Sequence, residues 1–200
     1  EVFKKNILQL KTSFPEIYDW LLKTEEDPRI EVFQSPDGEK NLRIRGIRGR
    51  SLCYYSLEHP RGDDEKLCST LDFFSDRVTF LIGLGLGYIL DEIRKKMHKG
   101  HKIVVIEKNP TILKRALEQT DISDLLKDST LVFLFPDLEN IKTRVVEYAG
   151  RKMPDDVLVI GNNKLAQMDK DYEKLIDTVI KYVGSCSVTT YTSFKHGAIF

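Results

Sequence analysis

The sequence predicts a doubly wound, Rossmann-like α/β fold with a mainly parallel sheet, preceded by two helices and a small antiparallel β meander. Three observations predict it. From Val78 onward, short runs that are apolar at nearly every residue ("VTFLIGL", "KIVVIE", "TLVFLF", "VLVIG") alternate with stretches of helical period, and strands without a polar face are usually covered on both sides. Strands and helices in strict alternation imply parallel crossovers. Gly83, Gly85 and Gly87 close the first run, where a strand has to turn sharply into a helix.

In chain order, apolar residues recur at helical spacing from Phe3 through Ile7, Leu10, Phe14 and Ile17 to Leu21, with Pro15 interrupting. Two successive helices fit, with Ser13 and Glu16 as a capping box and Pro15 in the first turn of the second. "IEVFQS", "NLRIRG" and "RSLCYYS" read as short strands joined by the turn formers of "PDGEK" and "GIRG". "HPRGDDEKLCSTLDFF" leads through a loop into an amphipathic helix ending near Phe74. The α/β alternation follows, with helices carrying Ile89, Ile93 and Met97, closed by Gly100; Ile112, Leu113, Ala116 and Leu117, opened near Pro110; Leu138, Ile141 and Val145, stopped by Gly150; and Leu175, Ile176, Val179 and Val183, stopped by Gly184. "SVTTY" supplies a fifth strand. This places one unit at residues 1–75, helices and meander, and a Rossmann-like domain at residues 76–200.

Composition narrows the function. The 31 basic and 31 acidic residues cancel, so no global field draws the protein to nucleic acid or to an anionic membrane. The longest apolar runs fall far short of the roughly 20 residues that span a bilayer, and no signal-peptide pattern opens the chain. A cytoplasmic location is expected. Cys53, Cys68 and Cys186 lack C-x-x-C spacing and read as free thiols, and the four histidines share no ligand spacing, so no metal is expected. Glu1 without a preceding methionine and the ending "FKHGAIF" suggest a piece of a longer chain, whose remainder would be its first partner.

In a doubly wound sheet, ligands sit beyond the carboxyl ends of the strands. That rule selects Gly83, Gly85 and Gly87 after the first strand, Glu107 after the second, Asp137 after the third, and Asn162 and Asn163 after the fourth. A dinucleotide fingerprint, G-x-G-x-x-G, fails in both frames, because Tyr88 and Leu90 stand where its third glycine belongs. The G-x-G-x-G turn with an acid about 20 residues on resembles the nucleoside loop of S-adenosylmethionine-dependent methyltransferases and aminopropyltransferases. That likeness implies that Glu107 accepts hydrogen bonds from ribose hydroxyls and Asp137 meets a base amine, with S-adenosylmethionine or a nucleotide sugar as the ligand. The alternatives are glycines that serve close packing alone and an Asp137 that caps the following helix. The pattern departs from a methyltransferase at Leu81, where an acid often stands, and at "GNNKL", where D/N-P-P-Y/F would hold a target amine. No catalytic acid or base is apparent.

Two further groups are candidates for binding. Arg43 and Arg45, with Arg48 and Arg50 beyond, could grip an anion or form a solvated strand face. His59 and Arg61 lie in a polar loop that could cover the glycine turn.

Taken together, "LCYYSLEHPRGDDEK", "VTFLIGLGLGYILDEI", "IVVIEKNPTILKRALEQTDISDLL" and "TYTSF" resemble the N-terminal region of the motility-associated factor (Maf) family. These bacterial proteins resemble glycosyltransferases and are linked to flagellin glycosylation with nonulosonic sugars. The resemblance implies a Rossmann-like companion to a catalytic domain elsewhere in the chain, itself accessory or nucleotide-binding and not catalytic, with flagellin or another protein as the acceptor. The alternative is a self-contained methyltransferase or aminopropyltransferase.

Overall fold

Pro15 separates the first two helices, since its fixed φ suits a first turn and its missing N–H cannot continue the preceding ladder. In the computed structural model, which describes residues 1–46, 51–150, 152, 156–186 and 191–194, α1 spans Val2–Ser13 and α2 spans Pro15–Lys23. The expected capping box does not form. Phe14 is the N-cap of α2 and gives no side-chain cap, while the Ser13 hydroxyl accepts from Gln9 Nε2 at 2.9 Å.

The meander follows as β1 (Ile30–Gln34), β2 (Lys40–Arg45) and β3 (Ser51–Cys53), antiparallel in the order β1-β2-β3. Helix α3 runs from Gly62 to Ser69 and stops short of Phe74. The remaining elements are β4 (Val78–Ile82), α4 (Tyr88–Lys96), β5 (Lys102–Ile106), α5 (Pro110–Gln119), α6 (Ser123–Lys127), β6 (Leu131–Leu134), α7 (Leu138–Ala149), β7 (Val157–Gly161), α8 (Asn163–Met168), α9 (Lys170–Cys186) and β8 (Tyr191–Phe194). The short helix α8 has no counterpart in the sequence reading, and α9 continues past Gly184. Of "SVTTY", residues 187–190 lie outside the described residues, and β8 begins at Tyr191.

The α/β expectation holds in a five-stranded parallel sheet of order β6-β5-β4-β7-β8. The chain starts this sheet at its centre, builds out through β5 and β6, then returns to the other side of β4 for β7 and β8. All five residues of β4 and all five of β7 are buried, which is why neither strand has a polar face. Each fully buried Val, Leu, Ile or Phe contributes about 1.5–3 kcal/mol.

Two compact units make up the chain, each from discontinuous stretches. Glu1–Asp72, Leu84–Lys96 and Asn109–Lys127 form the first, and Phe73–Gly83, Met97–Lys108 and Asp128–Phe200 form the second. In the first unit α1 packs on α2, α5 and α6, and α3 on α4; in the second α9 packs on α7, β4 and β7. Among the described residues no helix is long and apolar enough to cross a membrane.

Candidate functional site

The three glycines after β4 all have left-handed backbones, with φ of 85° at Gly83, 60° at Gly85 and 83° at Gly87. A side chain would cost about 1–2 kcal/mol at each. Space is the second constraint. A Cβ at Gly85 would lie 2.5 Å from Tyr54 Cε1 and closer still to the Tyr55 hydroxyl, and one at Gly87 would lie 3.0 Å from Thr120 Oγ1.

Several polar groups of the turn have protein partners. The Leu86 N–H donates to the Tyr55 hydroxyl at 2.7 Å, the Thr120 hydroxyl donates to the Leu86 carbonyl at 2.9 Å, and the Gly87 N–H donates to the Leu84 carbonyl at 3.1 Å. Tyr55 is 1% exposed, and burial, with the Asp64 charge second, pushes its phenol well above the ordinary range, so the hydroxyl stays neutral. Its ring sits 4.6 Å from Tyr54 and 5.3 Å from Tyr88, centroid to centroid. Tyr88, pushed by burial up to about 12, donates its hydroxyl to the Lys40 carbonyl at 2.9 Å. The backbone is bare because a phenol of the same chain comes within hydrogen-bond reach of it.

Around the carboxyl ends of the parallel strands, in the second unit, the Gly83 N–H donates to the Ile106 carbonyl at 3.1 Å and the Asn162 N–H to the Ile82 carbonyl at 3.2 Å. Glu107 is 2% exposed, and its Oε1 accepts a hydrogen bond from the Tyr172 hydroxyl at the start of α9. Beside it, Lys108 donates to Asp169 and Asp171, each at 2.7 Å. Burial alone would lower the Lys108 ammonium, but these two carboxylates outweigh it and hold it above its ordinary value. Lys108 and Tyr172 thus tie the end of β5 to the start of α9. Asn162 caps α8 by accepting the Leu165 N–H at 3.0 Å. Asp137 is exposed at the start of α7, its carbonyl accepting the Ile141 N–H at 2.9 Å and its Oδ2 accepting Asn140 Nδ2 at 2.8 Å.

Gly83 and Glu107 therefore lie at adjacent strand ends, whereas Gly85 and Gly87 belong to the first unit. The tyrosine-rich loop stands out in the sequence, but no motif there gives Tyr54 and Tyr55 a role or points to Thr120 and Tyr172. The pairing of adjacent tyrosines with bare glycines was the available signal; Tyr172, on a charged helix start, offered none.

The loop does cover the glycine turn, through its tyrosines. Arg61 stacks on the Tyr88 ring, 4.1 Å from its centroid, and pairs with Glu39 at 3.2 Å and Asp91 at 3.1 Å. His59 is exposed, 3.5 Å from Asp37. Arg43 and Arg45 pair with Glu31 at 3.6 and 2.9 Å, which matches the solvated strand face; Arg48 and Arg50 lie outside the described residues. Cys68 is buried and Cys53 half-buried. Among the described residues no group of three or more His, Cys, Asp or Glu is placed to hold a metal.

No protein-family model matches the sequence, and no curated protein matches it. Among solved structures, the chain is similar to the Maf glycosyltransferase from Magnetospirillum magneticum, with a TM-score of 0.64 at 16% identity over 93% of this chain and 35% of that one. At that identity the likeness is one of fold, and the chain spans about a third of that protein's length. Aeropyrum pernix fibrillarin, in complex with natively bound S-adenosyl-L-methionine, aligns with a TM-score of 0.33 at 9% identity over 80% of this chain and 86% of that one. A likeness at that score supports nothing further.

Proposed function

We propose that the chain is an accessory, Rossmann-like part of a larger Maf-type glycosyltransferase acting on flagellin or another acceptor protein with a nonulosonic sugar, and that it performs no transfer itself. The observation that carries the accessory role is the glycine turn. Its central amide is held by the Tyr55 hydroxyl and its central carbonyl by Thr120, the groups a nucleoside would otherwise engage. The fold likeness to a Maf glycosyltransferase, over nearly all of this chain, supports the family part of the reading. In the nucleoside-binding reading, a ligand at Gly85 and Gly87 displaces Tyr55 from Leu86, and one at Gly83, Glu107 and Asp137 displaces Tyr172 from Glu107. Each displacement leaves a buried polar group to be satisfied again, at about 1–3 kcal/mol.

A melting scan of the chain with S-adenosylmethionine, S-adenosylhomocysteine, CMP and a CMP-sugar separates the readings. A ligand at 100 times its dissociation constant adds about 2.7 kcal/mol, which for a chain of this size raises the melting temperature by roughly 5–10 °C. No shift is expected with any of the four. A rise with the adenosyl compounds that Glu107→Ala removes would replace this reading with the methyltransferase. A rise confined to CMP or the CMP-sugar would replace the accessory role with a nucleotide-binding one.

A further inference from the structure

The meander of the first unit has an open edge. Among the described residues strand β1 pairs only with β2, and the hydrogen bonds Arg45 N–H to Arg29 carbonyl, 2.8 Å, and Ser35 N–H to Glu39 carbonyl, 2.7 Å, fix which residues face the partner. With Arg29 and Ser35 bonded to the β2 side, alternation turns the N–H and C=O of Val32 and Gln34 outward. Among the described residues, no hydrogen bond engages the backbone groups of Val32.

That edge forms one wall of a groove of about 680 Å³ whose other wall is the last turns of α5. Ile30, Val32 and Phe33 supply apolar surface, and Arg115, Glu118 and Gln119 face them across the gap. Side chains from both faces of β1 line the groove, so it opens along the strand's edge. A groove between an edge strand and a helix, with unpaired main chain down one side, has the geometry that accepts an added strand. Five residues of β1 match an extended segment of about 17 Å.

Charge narrows the occupant. Of the cations lining the groove, Arg45 is paired with Glu31, and Arg115 with Glu118 and Glu26. Lys40, exposed at the end where it pairs in register with Gln34, meets no carboxylate among the described residues. We propose that the groove takes an extended peptide segment of a partner protein, which adds as a fourth strand along β1 and presents a carboxylate to Lys40. A second copy of the chain fits less well, because its own β1 is walled by its own α5. This assignment stands independently of the glycosyltransferase reading, since it uses neither the glycine turn nor Glu107.

The probe is a fluorescein-labelled hexapeptide, Thr-Val-Thr-Val-Thr-Glu, titrated with the full chain and read by anisotropy and by amide exchange at Val32 and Gln34. Main-chain pairing is indifferent to side-chain identity, so a generic sequence suffices. Expected are saturable binding, slowed exchange at both amides, and a loss of about tenfold or more in affinity when alternate peptide amides are N-methylated. Val32→Pro, tolerable at an edge N–H that makes no ladder bond, should abolish binding. Lys40→Glu, which leaves the backbone untouched, should weaken the acidic peptide and spare one ending in threonine. The proposal is overturned by no saturation up to about 1 mM peptide, by equal affinity of the N-methylated peptide, or by sedimentation showing that the edge is closed by a second copy.

Discussion

Gly85 shows how one missing methyl sets the local architecture. Gly85→Ala puts a Cβ against Tyr54 and Tyr55 at a φ of 60°, combining left-handed strain of about 1–2 kcal/mol with overpacking of about 1–3 kcal/mol. A total near 3 kcal/mol is expected from urea unfolding. Gly38→Ala is the matched control. Its φ is 88°, but the nearest atom to the added carbon is 3.9 Å away, so only the strain of about 1 kcal/mol should appear. Equal costs would mean that the tyrosines give way and that the turn is not closed by them. Tyr55→Phe probes the same contact from the other side. It keeps the ring and strands the Leu86 N–H, for an expected loss of about 1–3 kcal/mol. That a turn of bare glycines follows β4 could be read from the sequence, because positive φ and sharp reversal are local demands. What fills it could not, since Tyr55 and Leu86 are 31 residues apart and no periodicity links them.

Elements are held at their ends by two buried polar side chains that no pattern announced. Asn6 on α1 is fully buried; its amide donates to the Leu117 carbonyl at 2.8 Å and the Thr120 carbonyl at 2.7 Å, and its oxygen accepts the Ile122 N–H at 2.9 Å. These bonds satisfy the backbone at the break between α5 and α6. Asn6→Asp keeps the shape but turns a carboxylate toward two carbonyls, and a loss of about 3 kcal/mol or more in unfolding free energy is expected. His101 plays the corresponding part before β5. Its Nδ1 donates to the Phe74 carbonyl and its Nε2 accepts the Thr79 hydroxyl, both at 3.0 Å, the tautomer following from a carbonyl's inability to donate. Burial lowers its pKa, with the Arg77 and Lys152 charges adding to it against the Phe74 hydrogen bond. The folded chain therefore binds the proton more weakly than the unfolded one. Stability should be complete above about pH 6.5 and fall as pH drops toward the folded value, by at most about 1.4 kcal/mol per pH unit from this group. Urea midpoints of the wild type and His101→Gln between pH 5 and 8 test it, since the variant should lose that portion of the slope. Helix and strand identities were legible because burial imposes a period; their ends were not, because a cap such as Asn6 is recruited from more than a hundred residues away.

At the scale of the whole molecule, the division into units bears on what can fold alone. The sequence suggested a boundary near residue 75, where the composition changes from meander to alternating α/β. The first compact unit instead combines Glu1–Asp72 with Leu84–Lys96 and Asn109–Lys127, so the chain passes between units at each strand-to-helix connection around β4 and β5. The reason is visible in what α1 and α2 cover. Leu10, Ile17 and Leu21 are all but fully buried, and the helices packed against α1 and α2, besides each other, are α5 and α6, which lie beyond residue 109. A fragment of residues 1–75 would expose those side chains, lose the Asn6 bonds to Leu117, Thr120 and Ile122, and leave Tyr55 without Leu86. At about 1.5–3 kcal/mol for each buried aliphatic residue, the three side chains together carry about 4.5–9 kcal/mol, comparable with the 5–15 kcal/mol that typically separates folded from unfolded domains. The fragment should therefore show no cooperative thermal transition by circular dichroism and broad, uniformly fast amide exchange, while residues 1–127 retain the partners of α1. A sharp transition in the 1–75 fragment would restore the boundary suggested by the sequence and would mean that α5 and α6 lean on a unit already stable without them.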